Sequence, residues 1–599
     1  MAKKMPVQVD SAMGHAVTLY QAGRLAEAGT LCQQVLLWQP QHLAALNLLG
    51  VIAARSNLLE QAVEFFATAI RVDRNSPETH NNLGNARLAL RQYPEAVASY
   101  NKAIALKRDY ADAYRNRGHA LRALQKHAEA LASYGKSLEV DPRSAPAHYS
   151  KGNVFSDLGQ HSTAIACYDA AIALKRDYPE AWHNRGKALC ELGQYEAAIA
   201  SFDAIAAHAV NLADVCCDRG FALQQLAQLD AALDHYNRAI SIQPAHVQAY
   251  TNRGVVLQQL NQADAALASH ERAIALEPDF VAAYLNRGYT RLLVGDYANG
   301  WADHEYRLKS PARSLNALRR DFRQPRWDGS ESIAGKTILL YAEQGLGDTL
   351  QFCRYVKLVA ERGARVILEV QDPLHSLLAG LEGCDRVLTQ GAAPPEFDCH
   401  CSLMSLPFAF KTTLATIPAQ TPYLRSDAAK VRDWREKTGA RHRRRIGLVW
   451  SGGFRPDHPE LWPVNGRRNL PLKKLARLYR PDVEFYSLQK GQPAEAELAD
   501  LTSDEWGGPK PLDYTELLHD FSDTAAFIEN LDLIIAVDTS TAHLAAALGK
   551  PVWLLNRFDT CWRWLQHRTD SPWYPTIRLY RQPSAGDWDS VVAAVESDL

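Results

Sequence analysis

The sequence predicts two folds in series: an all-α array of stacked helical hairpins, then an α/β region made of two parallel-sheet halves. Three observations carry this. Glycine recurs at 50, 84, 118, 152, 186, 220, 254 and 288, every 34 residues without an insertion. Alanines at 62, 96, 130, 164, 198, 232 and 266 hold the same frame, each followed four residues on by a ring. After Asp321 the frame stops, and short apolar runs begin to alternate with helical stretches. A sustained period of 20–50 residues marks a stacked repeat array. Strand–helix alternation marks parallel βαβ units.

Each repeat reads as two short helices. Small Gly and Ala positions let neighbouring helices approach closely, and the rings (Phe66, Tyr100, Tyr134, Tyr168, Phe202, Tyr236, His270) fill the space between them. Proline closes several units, at 142, 244 and 278. A degenerate first unit keeps Ala16, Ala28 and Pro40 in frame, and an atypical last one carries Gly300 and His304 in the Ala and ring places. The array is expected over 9–314 as about nine units, each burying its apolar face only against its neighbours. This pattern resembles the tetratricopeptide repeat. Two residues before the glycine stand Asn82, Asn116, Asn184, Asn252 and Asn286, with Ser150 and Asp218 in intervening units. In such arrays this position faces the concave surface, where amides offer donors and acceptors to an extended protein or peptide partner. The alternative is that they satisfy neighbouring helices.

Residues 315–335, polar and containing Pro325 and Gly329, read as a linker. A first Rossmann-like half is expected over 336–425. It contains a strand at 336–342, a glycine loop, a helix from Thr349 to about Glu361, and strands at 365–370 and 397–403. A second linker, 426–444, holds most of the run Arg441-His-Arg-Arg-Arg445. The second half, 445–599, restarts with Ile446-Gly-Leu-Val-Trp and has further strands at 483–488, 531–537 and 551–555. Ligands of such sheets bind beyond the carboxyl ends of the strands.

Three loops can serve that cleft. In Glu343-Gln-Gly-Leu-Gly-Asp-Thr-Leu-Gln351, Gly345 and Gly347 permit a tight turn and close approach of a ligand. Leu350 stands where a dinucleotide fingerprint has its third glycine, so that motif is incomplete, although Glu369 lies at a suitable distance for a ribose carboxylate. Asp348 reads either as a helix N-cap, with Gln351 completing a capping box, or as a general base; Glu343 is the next candidate. In the second loop, a buried strand ends at Asp538, and Thr539, Ser540 and Thr541 open a small-residue helix. That arrangement binds phosphate or is simply capped by Asp538 or Ser540. His543 falls in its first turn, facing the cleft. In the third, Gln489 and Lys490 end a strand, and the lysine can reach a phosphate as a point charge. Trp450-Ser-Gly-Gly453 forms another wall. Trp562, Trp564 and Trp573 stack on a sugar or base, or pack between the halves.

Gly-Leu-Gly-Asp after the first strand and Asp-Thr-x-x-x-His opening a helix resemble the heptosyltransferase-type glycosyltransferases of the two-Rossmann (GT-B) fold. That family usually reads Asp-Thr-Gly-Leu-Ser-His, and this chain has Ser540, Thr541 and Ala542 in the middle. The resemblance covers 336–599. It implies Asp348 as general base, Asp538, Thr539, Ser540 and Thr541 as the nucleotide-diphosphate loop, and His543 on sugar or phosphate. Arg467 or Arg468 is the candidate phosphate cation. Repeats ahead of such a region are similar in architecture to protein O-GlcNAc transferases, where a lysine segment comparable to Gln489 and Lys490 contacts donor phosphates, and to bacterial flagellin glycosyltransferases. The implied activity is inverting transfer from a nucleotide sugar (UDP- first, CMP- or ADP- as alternatives) to a protein Ser/Thr hydroxyl recruited by the repeats, flagellin being one such acceptor. No D-x-D pair stands at a strand end, so neither metal nor cofactor is expected. The alternatives are a lipid or polysaccharide transferase and a non-catalytic repeat adaptor.

Composition narrows the classes. The 599 residues carry 66 Lys+Arg against 67 Asp+Glu, a net charge of -1 that argues against a nucleic-acid binder. Apolar residues are 47% and charged residues 22%, which are globular values. No apolar run approaches the roughly 20 residues of a membrane span, and the basic N-terminus is followed by no apolar core. Ten cysteines without a C-x-x-C pair fit free thiols in a reducing cytoplasm.

Overall fold

The computed structural model describes residues 5–205, 212–309, 320, 322–453 and 462–599. It divides into two compact units, Met1–Ala222 and Leu223–Leu599. Residues 310–314 of the expected array and 315–319 and 321 of the expected linker lie outside the described residues. No helix among those described is long and apolar enough to cross a membrane.

The N-terminal region is all-helical, a succession of pairs from Met5–Gln21 and Leu25–Trp38 through Val281–Leu293 and Tyr297–His304. The 34-residue frame has a direct steric cause. A Cβ placed on Gly50, Gly84, Gly118, Gly152 or Gly186 would stand 2.4–2.6 Å from the ring sixteen residues later, closer than carbon atoms pack. The ring lies flat on bare backbone, and the in-frame alanines are fully buried around it. The turn inside each pair repeats as well. Gly23, Asn57, Arg91, Gln125, Gly159, Gly193, Ala227, Asn261 and Gly295, again 34 apart, all have positive φ between 58° and 87°. Glycine adopts this left-handed geometry freely, whereas Arg91, Gln125 and Ala227 carry a steric cost there.

His270 is the exception among the rings. It is fully buried on Gly254, and neither ring nitrogen has a hydrogen-bond partner among the described residues. Burial and the nearby Arg287 push its pKa down to about 4. Its proton is therefore bound more readily by the unfolded chain, and its contribution is complete above about pH 6.5 and lost as pH falls toward 4. Between pH 7.5 and 5 this amounts to about 2 kcal/mol. His270→Phe, which restores the ring used at positions 66 and 202, should raise the melting temperature at pH 5 more than at pH 8. Equal shifts at both pH values would refute the assignment.

The unit Leu223–Leu599 continues from the last repeats into two all-parallel sheets. The first contains β1 (Thr337–Tyr341), β2 (Arg365–Val370), β3 (Arg386–Thr389) and β4 (Cys399–Ser402) in the order β3-β2-β1-β4. The second contains β5 (Arg444–Val449), β6 (Val483–Ser487), β7 (Leu512–Asp513), β8 (Leu533–Val537), β9 (Val552–Asn556) and β10 (Ile577–Arg581), ordered β10-β9-β8-β5-β6-β7. Read from β7, the second sheet has the doubly wound order 3-2-1-4-5-6, and the first has its 3-2-1-4 part. Strand order therefore reverses between β1 and β4 and between β5 and β8. Strand β8 is buried along its whole length, as a parallel strand covered on both faces must be.

Both expected linkers are more structured than their polar composition suggests. Trp327 and Ile333 are buried, and the Trp327 and His400 amides donate to the His400 and Pro325 carbonyls, laying this segment along β4. The second linker contains the helix Ala428–Thr438, capped by Asp427 and anchored by buried Trp434 stacked on Phe527. The expected helix from Thr349 to about Glu361 is two helices, Leu346–Phe352 and Tyr355–Glu361, offset at Cys353-Arg354.

The last repeat packs directly on the α/β region. Trp301 sits among Phe352, Trp562 and Trp573, and the Trp573 indole N–H donates to Tyr297 Oη at 3.0 Å. Asn261, at the left-handed turn of its repeat, donates to the Phe558 carbonyl and accepts from Gln566. Gly300 replaces the frame alanine because Leu292 fills the space a Cβ would need.

Candidate functional site

The carboxyl ends of the two sheets meet. After β1 the chain turns through Glu343–Gly345 into the helix Leu346–Phe352. After β8 it turns into Ser540–Ala547. A Cβ on Gly347 would lie 3.1 Å from His543 Cδ2 and 3.6 Å from Ser540 Cα. Gly347 thus permits close approach of one half to the other, where sequence alone suggested approach of a ligand.

Asp348 does not cap its helix as the N-cap residue. Gly345 is the N-cap, Asp348 is the third helical residue, and its Oδ2 accepts the Gly345 N–H at 2.9 Å. Oδ1 is paired with Arg563, from the turn after β9. Gln351 completes no capping box; it is buried, and its Oε1 accepts from Arg563 Nε at 2.6 Å. Glu343 is withdrawn from base chemistry. Arg307 grips it bidentately at 2.8 and 2.9 Å, and Ser402 Oγ donates to it. Burial pushes the Glu343 carboxyl up, and Arg307 outweighs this, leaving it below the ordinary carboxylate range. Glu369 is fully buried and paired with Arg320.

At the crossover point of the second sheet, the helix Ser540–Ala547 has Thr539 as its N-cap, not Asp538 or Ser540, and no side chain among the described residues caps it. Thr539 Oγ1 is buried without a partner among the described residues. Ser540 and Thr541 are half-buried in the first turn. Arg468 lies in the same crevice, donating to the Asp538 carbonyl at 3.0 Å and to Asn465 at 2.6 Å. Its guanidinium occupies the place a Cβ on Gly452 would take, 2.0 Å from Nη2. Arg467, the other candidate cation, is paired with Asp559 at 3.0 Å. Burial raises the Asp538 carboxyl, but the guanidinium groups of Arg468 and Arg563 help hold it below its ordinary range.

His543 is not open to the cleft. It is buried, stacked on Trp564, and its Nδ1 lies 2.8 Å from Tyr574 Oη. Burial lowers its pKa to about 3 against the raising effect of Asp538, so the imidazole is neutral. Gln489 and Lys490 are placed differently from the sequence expectation. Gln489 Oε1 accepts the Trp450 and Ser451 N–H groups, bracing that loop, and the exposed Lys490 donates Nζ to the Leu518 carbonyl. Trp562, Trp564 and Trp573 are buried packing, not a stacking platform for a sugar.

The asparagines of the repeats are half-buried. Asn116 Nδ2 donates to Asn81 and Asn85, and Asn184 Nδ2 donates to Tyr149 and Asn153, each in the preceding repeat. Asn252 accepts from Gln248. Asn82 and Asn286 occupy the equivalent helix position. At 116 and 184, at least, one half of the amide serves the neighbouring helix.

Arg563 and Arg354 escaped sequence reading. Arg354 donates to the carbonyls of Gln351, Pro418 and Trp573 and stacks on Tyr423 and Tyr574, joining the two halves. Neither arginine has a local motif, because their partners lie up to 219 residues away.

The TPR repeat family matches residues 84–125, 118–159, 152–193 and 220–261, and tetratricopeptide repeat families match 19–84 and 247–280. Protein FlbA of Caulobacter vibrioides is 29% identical over 349 residues, covering 51% of this chain and 53% of its own length. The chain thus spans about half of that curated relative. Among solved structures, the TPR protein YrrB, described as having an unusual peptide-binding site, is 26% identical with a TM-score of 0.28, covering 31% of this chain and 95% of its own. A tetratricopeptide repeat protein from Parabacteroides merdae is 17% identical with a TM-score of 0.35, covering 42% and 99%. The N-terminal region of this chain is an array of tetratricopeptide repeats.

Proposed function

We propose that residues 336–599 form a GT-B-type glycosyltransferase that moves a sugar from a nucleotide-sugar donor to a protein hydroxyl, with the repeats recruiting the acceptor. The observation that carries this reading is the uncapped start of the helix Ser540–Ala547 beside Arg468 at the point where strand order reverses. First-turn N–H groups without a side-chain cap among the described residues, the positive end of the helix dipole and a guanidinium suit a diphosphate, and they would stabilise it as it leaves. Asp348, in the first turn of the facing helix Leu346–Phe352, would take the proton of the attacking hydroxyl, giving inversion without a metal. His543, neutral, would offer a hydrogen bond and not a charge. The repeats, a protein- or peptide-binding module, would present a Ser/Thr acceptor; a flagellin fits the architectural resemblance.

A thermal-shift panel of UDP-, CMP- and ADP-sugars tests this, followed by mass spectrometry of a protein acceptor incubated with the hit. One nucleotude class should raise the melting temperature, since a ligand bound only by the folded state stabilises it. Arg468→Ala should remove that shift. No shift with any donor would refute the reading and favour the second one, a non-catalytic adaptor. That alternative draws on the full engagement of Asp348 and Gln489 by other protein groups.

A further inference from the structure

Asp348 and Arg563 reach each other from opposite halves. The Arg563 guanidinium is pinned on three sides: Nε on Gln351, Nη1 on the Cys561 sulfur at 3.2 Å, and its face on the Trp562 ring at 4.3 Å. Among the described residues, its Nη2 is held by Asp348 Oδ1. The carboxylate is anchored independently through Oδ2 to the Gly345 N–H. Side-chain exposure of 13% for Arg563 and 18% for Asp348 leaves the pair accessible at the crevice. Gly347, next to Asp348, touches the start of the helix Ser540–Ala547, so this pair borders the same positive helix end. A guanidinium binds a planar carboxylate and a phosphate with the same fork of N–H groups, so the two compete for one face.

Building on the glycosyltransferase reading above, we propose that the Asp348–Arg563 pair is a latch operated by the donor. A diphosphate takes the Nη2 edge of Arg563, and Asp348, still tied to Gly345, is released as a free carboxylate toward the acceptor. The base is masked until the donor is bound, which makes donor binding precede acceptor activation. Asp348 then has two roles, acting as competitor for the anion in the empty site and as proton acceptor in the filled one.

Inorganic pyrophosphate is the probe, titrated calorimetrically into the full chain at low salt. Wild type should bind it. Asp348→Asn, which keeps size and the Gly345 hydrogen bond but removes the competing charge, should bind about 10-fold more tightly, within the usual range of coupling between sites. Arg563→Lys should bind about 10-fold more weakly, because a point charge replaces the fork. Gln351→Leu serves as control: it loosens the same arginine without touching the ion pair and should not tighten binding. Unchanged or weaker binding in Asp348→Asn overturns the latch. So does wild-type affinity in Arg563→Lys, which stands as an independent test should Asp348→Asn fold poorly. Absence of pyrophosphate binding in wild type overturns it too. The probe carries no sugar, so a chain that obeys this pattern yet transfers nothing refutes the glycosyltransferase reading and not the latch.

Discussion

Asp348→Asn should lower sugar transfer at saturating donor by roughly 10²–10⁴-fold, the usual consequence of losing a general base. An amide cannot take the acceptor's proton. The structure changes what accompanies this loss. As a mere N-cap, Asp348 would be replaced by Asn at almost no cost in stability. It is instead the third residue of the helix and the carboxylate partner of Arg563, a side chain only 13% exposed. Removing it leaves the guanidinium with no carboxylate in direct contact among the described residues. A stability loss of about 2–3 kcal/mol is therefore expected, below the 3–5 kcal/mol of a fully buried broken pair. Turnover and thermal unfolding of the same variant separate the two effects. Transfer near the wild-type rate, with the stability loss present, would reduce Asp348 to a structural carboxylate. Glu343 could not then take over, because Arg307 and Ser402 enclose it.

Arg307→Met should strongly destabilise the unit Leu223–Leu599. Arg307 follows the last repeat helix and joins Glu305, Glu343 and Ser405, with almost no exposure of its own. Glu343 stands just after β1 and Ser402 ends β4, so the network closes the crossover point of the first sheet. Without the guanidinium, Glu343 is left as a buried charge, at a cost of about 3–5 kcal/mol. Denaturant unfolding should show the loss, and the double change Arg307→Met with Glu343→Leu should recover much of it. A single-variant cost below about 1 kcal/mol would show that water or Arg326 replaces the cation.

These two effects show where sequence and tertiary structure divide. The repeat was legible because its contacts are short in sequence. The ring lies sixteen residues after the glycine it covers, and a 34-residue frame keeps that spacing in every unit. The left-handed turn was legible too in principle, from glycines at 23, 159, 193 and 295 and asparagines at 57 and 261 in one frame. The strands found from sequence were the apolar ones; β3, β7 and β10 were missed because they are short or carry charges. Polar composition suggested free linkers, yet single tryptophans at 327 and 434 pin both segments.

At the site, the sequence by itself determined which loops follow parallel strands, and so which residues could stand at the carboxyl edge: Gly345 to Asp348, Asp538 to His543, and Arg468. Tertiary structure decided their state. Strand order placed Arg468 at the reversal between β5 and β8 and left Lys490 outside it, turned to Leu518. It also brought Arg563 onto Asp348 across 215 residues and buried His543 as a neutral imidazole. The physical reason is that spacing along the chain specifies packing only where contacts are local. A carboxylate's charge, a histidine's protonation and an arginine's partner depend on desolvation and on charges brought from distant segments, which exist only once both sheets have closed on each other.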